Sequence, residues 1–160
     1  MTASDLTQLH HPTSVAVIGA SRRAGSVGHE VLANIVASGF AGPVYAVNPH
    51  PIALDGAIWI DAVPNLPQPP DLAIIACPAA HVVNAVEQLG RLGVRLAVVV
   101  SNGFSEVADR AALQRAARQS RVRLIGPNSL GVVIPGAKLN ASFAPYGARA
   151  GKLAFLSQSG

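Results

Sequence analysis

The chain alternates between short, unbroken apolar runs and longer stretches whose apolar residues recur every three or four positions. The first pattern reads as buried strands and the second as amphipathic helices. Ser-Val-Ala-Val-Ile at 14–18 is rich in β-branched residues and ends at Gly19, which predicts a first strand. Over 27–38, Val27, Val31, Leu32, Ile35 and Val36 share one helical face, and Gly39 supplies a stop. Strands follow over 43–47, closed by Asn48-Pro49, and over 71–76, closed by Cys77-Pro78. A helix over 80–92 sets Val82, Val83, Val86 and Leu89 on one face, with Gly93 after it. Then come a strand over 94–100, a polar-faced helix over 107–120, and a strand over 122–125 that ends at Gly126-Pro127-Asn128. The stretch 53–70 is less regular, with a short strand near 57–59 and a Pro-rich connection.

Strands alternating with helices of about a dozen residues make βαβ units. Right-handed crossovers then leave one main solution, an α/β fold of the Rossmann-like, doubly wound kind, with a mainly parallel sheet flanked by helices. A length of 160 residues suffices for one such domain, placed at 13–150 behind an N-terminal segment at 1–12. The run at 152–156 reads as a further strand, followed at once by Ser157-Gln158-Ser159-Gly160. A strand entering a Ser/Gly turn should open a helix, so 151–160 is expected to be the truncated start of a second domain.

Composition agrees with a doubly covered sheet: 50% of residues are hydrophobic and only 12% are charged. Apolar runs such as 72–77 and 96–100 are far too short to span a bilayer. The first residues have no basic start followed by an apolar stretch, and a single cysteine suits a reducing cytosol. The net charge of +4 could attract a polyanion, but the arginines are scattered and aromatics make up 4%. Nucleic-acid binding usually needs clustered cations with aromatic or groove-reading elements, so a phosphate-rich small ligand is favoured instead.

Ligands of open parallel sheets bind beyond the carboxyl ends of the strands. The loops there, at 19–28, 48–51, 77–81, 101–106 and 126–128, are rich in Gly, Pro, Asn and Ser. The first, G-A-S-R-R-A-G-S-V-G, links a strand to a helix, where free N–H groups and the helix dipole favour phosphate. Ser21, Arg22 and Ser26 could add side-chain donors, although a tight turn without a ligand would look similar. The second strand ends at Asn48-Pro49 rather than at the carboxylate that usually holds the ribose of a nicotinamide dinucleotide. Asn48-Pro49 could equally be only a turn. Cys77 reads as a structural residue rather than a nucleophile, because no His–Asp pair with recognisable spacing supports it. His81 could cap a helix, meet a phosphate or be solvated; Glu106 could face the ligand or cap the helix after it; Trp59 reads as packing. His10-His11 reads as solvated, and no Cys/His/carboxylate cluster has metal spacing.

Read together, S-V-A-V-I-G-A-S-R-R, G-P-V-Y-A-V-N-P, I-A-C-P-A, S-N-G-F-S-E, I-G-P-N-S-L-G-V, L-N-A-S-F-A-P and G-K-L-A-F-L-S-Q-S-G resemble a known family. It is the N-terminal CoA-binding domain of the ADP-forming (NDP-forming) acyl-CoA, or acetate–CoA, synthetases. The succinyl-CoA synthetase α subunit is a more distant relative. The resemblance implies that Gly19, Ala20, Ser21, Arg22 and Gly25 hold the phosphates of coenzyme A. It puts Val47, Asn48 and Pro49 on the adenosine side, and Ala76, Pro78 and Ala79 against the coenzyme. Ser101, Asn102, Gly103 and Glu106 would follow the pantetheine arm, and Asn128 would sit near the thiol. The S-Q-S-G turn would open the second, succinyl-CoA-synthetase-like domain. ATP or ADP, magnesium and a phosphorylated histidine would belong to parts of the protein outside this chain, which alone would bind CoA without catalysing.

One position departs from the family pattern: His50 stands where relatives often carry Lys, so Arg22 or Arg23 would have to meet the 3′-phosphate. Two other readings stay open at this point. One is a regulatory synthetase-like module of a protein lysine acetyltransferase; the other is an NAD(P)-binding domain. The expected partners are CoA or acyl-CoA and the remaining synthetase domains or subunit, in the cytoplasm, with neither nucleic acid nor membrane.

Overall fold

The computed structural model describes residues 10–151. Strands β1 (Val15–Ile18), β2 (Val44–Val47), β3 (Ile58–Ile60), β4 (Leu72–Ile75), β5 (Leu96–Val99) and β6 (Arg123–Ile125) form one sheet in the order β3-β2-β1-β4-β5-β6. Every neighbouring pair in it is parallel. This is the doubly wound order expected of a Rossmann-like sheet. Helices α1 (Val27–Ala37), α2 (Ala79–Leu92) and α3 (Val107–Ser120) make the crossovers. A 3-10 turn at Val63–Asn65 serves between β3 and β4.

The four central strands are buried along their whole length, which explains their continuous apolar runs. Alternate residues serve opposite faces. Val15, Val17, Leu72, Ile74, Leu96 and Val98 form one core with Val31, Leu32 and Ile35 of α1. Ala16, Ile18, Ala73, Ile75, Ala97 and Val99 form the other with Val82, Val86 and Leu89 of α2 and Leu113 and Ala116 of α3. Each fully buried Leu, Ile or Val contributes about 1.5–3 kcal/mol from burial, before chain entropy is set against it. On the second face the register sets Ala16 beside Ala73 and Ala73 beside Ala97. This row of methyl groups leaves room for α2 to lie close to the sheet.

Local chemistry fixes the helix ends. The Ser26 hydroxyl caps α1 by accepting from the His29 N–H. Gly93 ends α2 in the left-handed region, at φ +100°. Arg121 adopts the same conformation after α3, at φ +56°. At the amino ends of the strands, Asp71 accepts from the Thr13 amide at 2.8 Å and from its hydroxyl at 2.6 Å, tying the entry of β1 to that of β4.

The hydrophobic pattern marks no strand or helix across 129–150, and the structure has a further element there. Strands β7 (Gly131–Ile134) and β8 (Leu139–Ser142) form a separate antiparallel pair. Leu139 and Ala141 join the core on the α1 face, where β8 packs on α1 and β7 on β5. Asn34 of α1 fixes it, donating from its side-chain amide to the carbonyls of Ser142 and Ala144 at 2.8 and 3.0 Å. The short strand expected near 57–59 lies one residue later, at Ile58–Ile60. The expected strand at 152–156, the S-Q-S-G turn and most of the N-terminal segment 1–12 lie outside the described residues.

Candidate functional site

The winding of the sheet reverses between β1 and β4, because the chain leaves one to build outward on one side and the other to build on the opposite side. A crevice opens at the carboxyl ends of strands at such a point. Here it is a cavity of about 1070 Å³, lined from the ends of β1, β2, β4 and β5. That is at the upper end of the range for small-molecule sites.

Two glycines allow the crevice walls to meet. Gly19 has φ +85°, and a Cβ there would stand 2.6 Å from the Cys77 backbone nitrogen. A Cβ on Gly28 would run into the Gly19 carbonyl oxygen. The first loop can therefore lie flat against the end of β4 while α1 starts directly above β1.

Internal bonds shape that loop. Ser21 Oγ accepts from the Arg23 N–H at 3.0 Å, and Ser26 Oγ donates to the Arg23 carbonyl at 2.7 Å. His29 Nδ1 donates to the Ser21 carbonyl at 3.1 Å, and the Gly25 N–H donates to Glu30 at 3.0 Å. The amides of Ala20, Ser21, Val27 and Gly28 have no acceptor among the described residues, and all four residues line the cavity. The last two are the opening amides of α1, which a helix cannot satisfy itself. Amides gathered in this way, at a positive helix end, form a cradle for an anion.

Asn48 braces the adjoining wall. Its side-chain amide donates to the Ala20 carbonyl at 2.7 Å, its side-chain oxygen accepts from the His50 N–H at 2.8 Å, and its backbone carbonyl accepts from Trp59 Nε1 at 2.9 Å. Trp59 is thus an anchor for this turn, with part of its ring exposed. On the other side, the buried Ser101 hydroxyl donates to the Cys77 carbonyl at 2.5 Å, and the Asn128 N–H donates to the Ser101 carbonyl at 3.0 Å. Cys77 lines the cavity, and burial pushes its thiol above the ordinary value of 9.0, which keeps it protonated at neutral pH. This is the wrong direction for a nucleophile.

Of the residues read from the sequence, Gly19, Ala20, Ser21, Val47, Asn48 and Pro49 line the cavity on one side. Ala76, Pro78, Ala79, Ser101, Asn102, Gly103 and Asn128 line it on the other. Arg22 instead faces an adjoining hollow of about 380 Å³, shared with Ser21, Arg23, Asn48, His50 and Ile52. Gly25 is outside both, its amide held by Glu30. Glu106 is also outside; it occupies the N-cap position of α3, but its side chain makes no capping bond. His81 lines the cavity, exposed, in the first turn of α2.

Sequence reasoning missed Asp61, Val63, Asn84, Gln88 and Phe143, all in the lining. Asn84 and Gln88 were legible as polar positions one turn apart on a helix whose other face is apolar. Asp61 and Phe143 depend on where β3 and β8 end, which the sequence did not mark. Among the described residues no group of three or more His, Cys, Asp or Glu could hold a metal, and no helix is long and apolar enough to cross a membrane.

The CoA binding domain family matches residues 13–135. The chain is 42% identical to an ADP-forming acetate–CoA ligase I of Archaeoglobus fulgidus, over 97% of this chain and 23% of that protein. It is 37% identical to the α subunit of an ADP-forming acetate–CoA ligase I of Pyrococcus furiosus, over 97% of this chain and 36% of that subunit. Among solved structures, it is similar to the apo form of a dinucleotide-forming acetyl-coenzyme A synthetase 1 of Ca. Korarchaeum cryptofilum. There the TM-score is 0.80 and the identity 36%, over 88% of this chain and 31% of that one. The chain thus spans between about a quarter and somewhat over a third of the length of these relatives.

Proposed function

The chain belongs to the CoA-binding domain family, and on that premise we propose that its cavity holds coenzyme A on behalf of an ADP-forming acyl-CoA synthetase. The observation that carries the reading is the set of amides at Ala20, Ser21, Val27 and Gly28 that lack acceptors among the described residues and lie around the start of α1. A pyrophosphate offers the acceptor oxygens and negative charge that such a cradle favours. The names of the relatives, acetate–CoA ligases and an acetyl-CoA synthetase, support the same ligand.

In this reading Ala20, Ser21 and Arg22 hold the phosphates, while Gly19 and Gly25 shape the turn because their amides are already committed to Val47 and Glu30. The hollow beside Arg22, Arg23 and His50 takes the 3′-phosphate. Val47, Asn48 and Pro49 border the adenosine, and Ala76, Pro78 and Ala79 pack on the coenzyme. Ser101, Asn102 and Gly103 guide the pantetheine arm towards Asn128, with Glu106 at the end of the same loop. The Ser101 hydroxyl is spent on Cys77, so this loop acts on the arm mainly through its backbone.

The complete protein would join an acid to CoA at the expense of ATP, through acyl phosphate and phosphohistidine intermediates. Magnesium, nucleotide and the phosphorylated histidine would be held by the remaining synthetase domains or subunit, in the cytoplasm. Calorimetric titration tests the reading. Saturable heat with CoA, and no acyl-CoA made by this chain alone, is the expected result. Silence at millimolar CoA, with NADH binding instead, would overturn it.

A further inference from the structure

Two consecutive residues of α1 reach back into the loop that precedes it. The Glu30 carboxylate accepts from the Gly25 amide at 3.0 Å, and His29 Nδ1 stands 3.1 Å from the Ser21 carbonyl oxygen. A carbonyl oxygen can only accept, so Nδ1 carries the proton and donates. His29 is half-buried and lines neither the main cavity nor the hollow beside Arg22, whereas its partner Ser21 lines both. The peptide that joins Ser21 to Arg22 is trans, and the carbonyl and N–H of a trans peptide point in opposite directions. Holding the Ser21 carbonyl towards α1 therefore turns the Arg22 N–H away from His29. That N–H has no acceptor among the described residues. The flanking groups are held by other bonds, the Ala20 carbonyl by Asn48 and the Arg23 amide by Ser21 Oγ. Among the described residues, the His29 bond is the only one made to the Ser21–Arg22 peptide.

Taking the CoA reading as its basis, we propose that His29 is a positioning residue, which fixes the polarity of the Ser21–Arg22 peptide so that the Arg22 N–H faces the phosphates of the coenzyme. A peptide plane turns over by opposed rotations about the two single bonds that flank it, with little movement of the chain on either side. Turned over, this one would set a carbonyl oxygen against a phosphate oxygen, acceptor against acceptor, and withdraw a donor at the same stroke. A backbone N–H that meets an anion makes a charge-assisted bond, so the direction of this one plane bears on affinity. Neither nearby hydroxyl can take over the task, because Ser21 Oγ and Ser26 Oγ are both bonded to Arg23. His29 thus acts on the ligand only through the main chain.

Two substitutions separate the donor from the shape. Asparagine and leucine both branch at Cγ as histidine does, but only asparagine has a donor nitrogen as near to the backbone as Nδ1. Leucine is the better helix former, so a loss in His29→Leu is not a loss of α1. In calorimetric titrations of the intact chain, His29→Leu should bind CoA and dephospho-CoA roughly tenfold more weakly than the wild type, as expected for one bond to an anion. His29→Asn should bind both as the wild type does. Equal affinity of His29→Leu and the wild type would overturn the proposal, while leaving the CoA site intact. Equal losses in the two variants would overturn it too, because they would mark the ring rather than its donor. Nuclear magnetic resonance gives a readout that needs no variant: saturating CoA should move the Arg22 amide proton downfield, and an Arg22 amide that stays in place would overturn the proposal. A wild-type protein that binds neither ligand would overturn the CoA reading itself, and this proposal with it.

Discussion

Asn48 and Ala20 are joined across the mouth of the cavity by a 2.7 Å hydrogen bond, from the side-chain amide of one to the main-chain carbonyl of the other. The end of β2 and the first loop therefore hold each other in place. Removing this bond and the one to the His50 amide in Asn48→Ala should cost about 1–3 kcal/mol, at 0.5–1.5 kcal/mol for each neutral bond. Asn48→Asp is the sharper variant, since a carboxylate cannot donate to a carbonyl and adds a negative charge beside the phosphate cradle. Urea unfolding should rank Asn48→Asp below Asn48→Ala, and CoA affinity should fall in the same order.

Gly19 and Gly25 both have φ near +80°, but their surroundings differ. A Cβ on Gly19 meets the backbone of Cys77, whereas nothing lies within 4 Å of one on Gly25. Gly25→Ala should cost only the left-handed backbone penalty, about 1–2 kcal/mol. Gly19→Ala adds overpacking of about 1–3 kcal/mol to that penalty. Denaturation midpoints measure the difference, and equal losses would mean that the approach of the first loop to β4 does not matter.

Arg22 and Arg23 share a hollow with His50 but lie outside the main cavity lining. Each charge-assisted phosphate bond contributes about 1.5–3 kcal/mol before solvent screening, and both arginines are exposed, so the loss should be well below that sum. The double variant Arg22→Ala/Arg23→Ala should weaken CoA by roughly tenfold, and the difference should shrink as salt rises. Dephospho-CoA, which lacks the 3′-phosphate, should be bound almost equally by the wild type and the double variant. A matching loss for both ligands would instead assign the arginines to the pyrophosphate.

Burial raises the pKa of Cys77, and the sign of its effect on folding follows. The folded chain keeps the thiol proton to a higher pH than the unfolded chain does. The corresponding stability is fully present below the ordinary value of 9.0 and is lost as pH rises through the raised value. Alkylation by iodoacetamide at pH 8 should be slower than for a free thiol, and CoA should slow it further because Cys77 lines the cavity. Cys77→Ser should flatten the stability profile above pH 9.

Much of this architecture was legible in the chain. Runs such as 14–18 and 71–76 declare themselves because both faces of the strand are covered, so no polar residue interrupts them. The glycine-bearing turn after β1 was legible because the bends at Gly19 and Gly25 use conformations that favour glycine. What escaped depends on tertiary partners. β7 and β8 are four residues each, and Asn34, far away in the chain, holds their end. A Gly-Val-Val-Ile run bounded by Gly131 and Pro135 was the available hint. Arg22, Gly25 and Glu106 read as ligand residues from loop membership, and the structure sets all three outside the main cavity lining. Gly25 turns its amide to Glu30, and Arg22 points to the neighbouring hollow.

The row Ala16, Ala73 and Ala97 runs beneath the layer formed by α2 and α3, out of reach of solvent. It works as a spacer. A single bulkier side chain, as in Ala73→Val, would jack the helical layer away from the strands, and the tilt would be magnified along α2 towards Asn84 and Gln88. Interior methyl groups that line no part of the cavity would thus bear on the width of the groove above them.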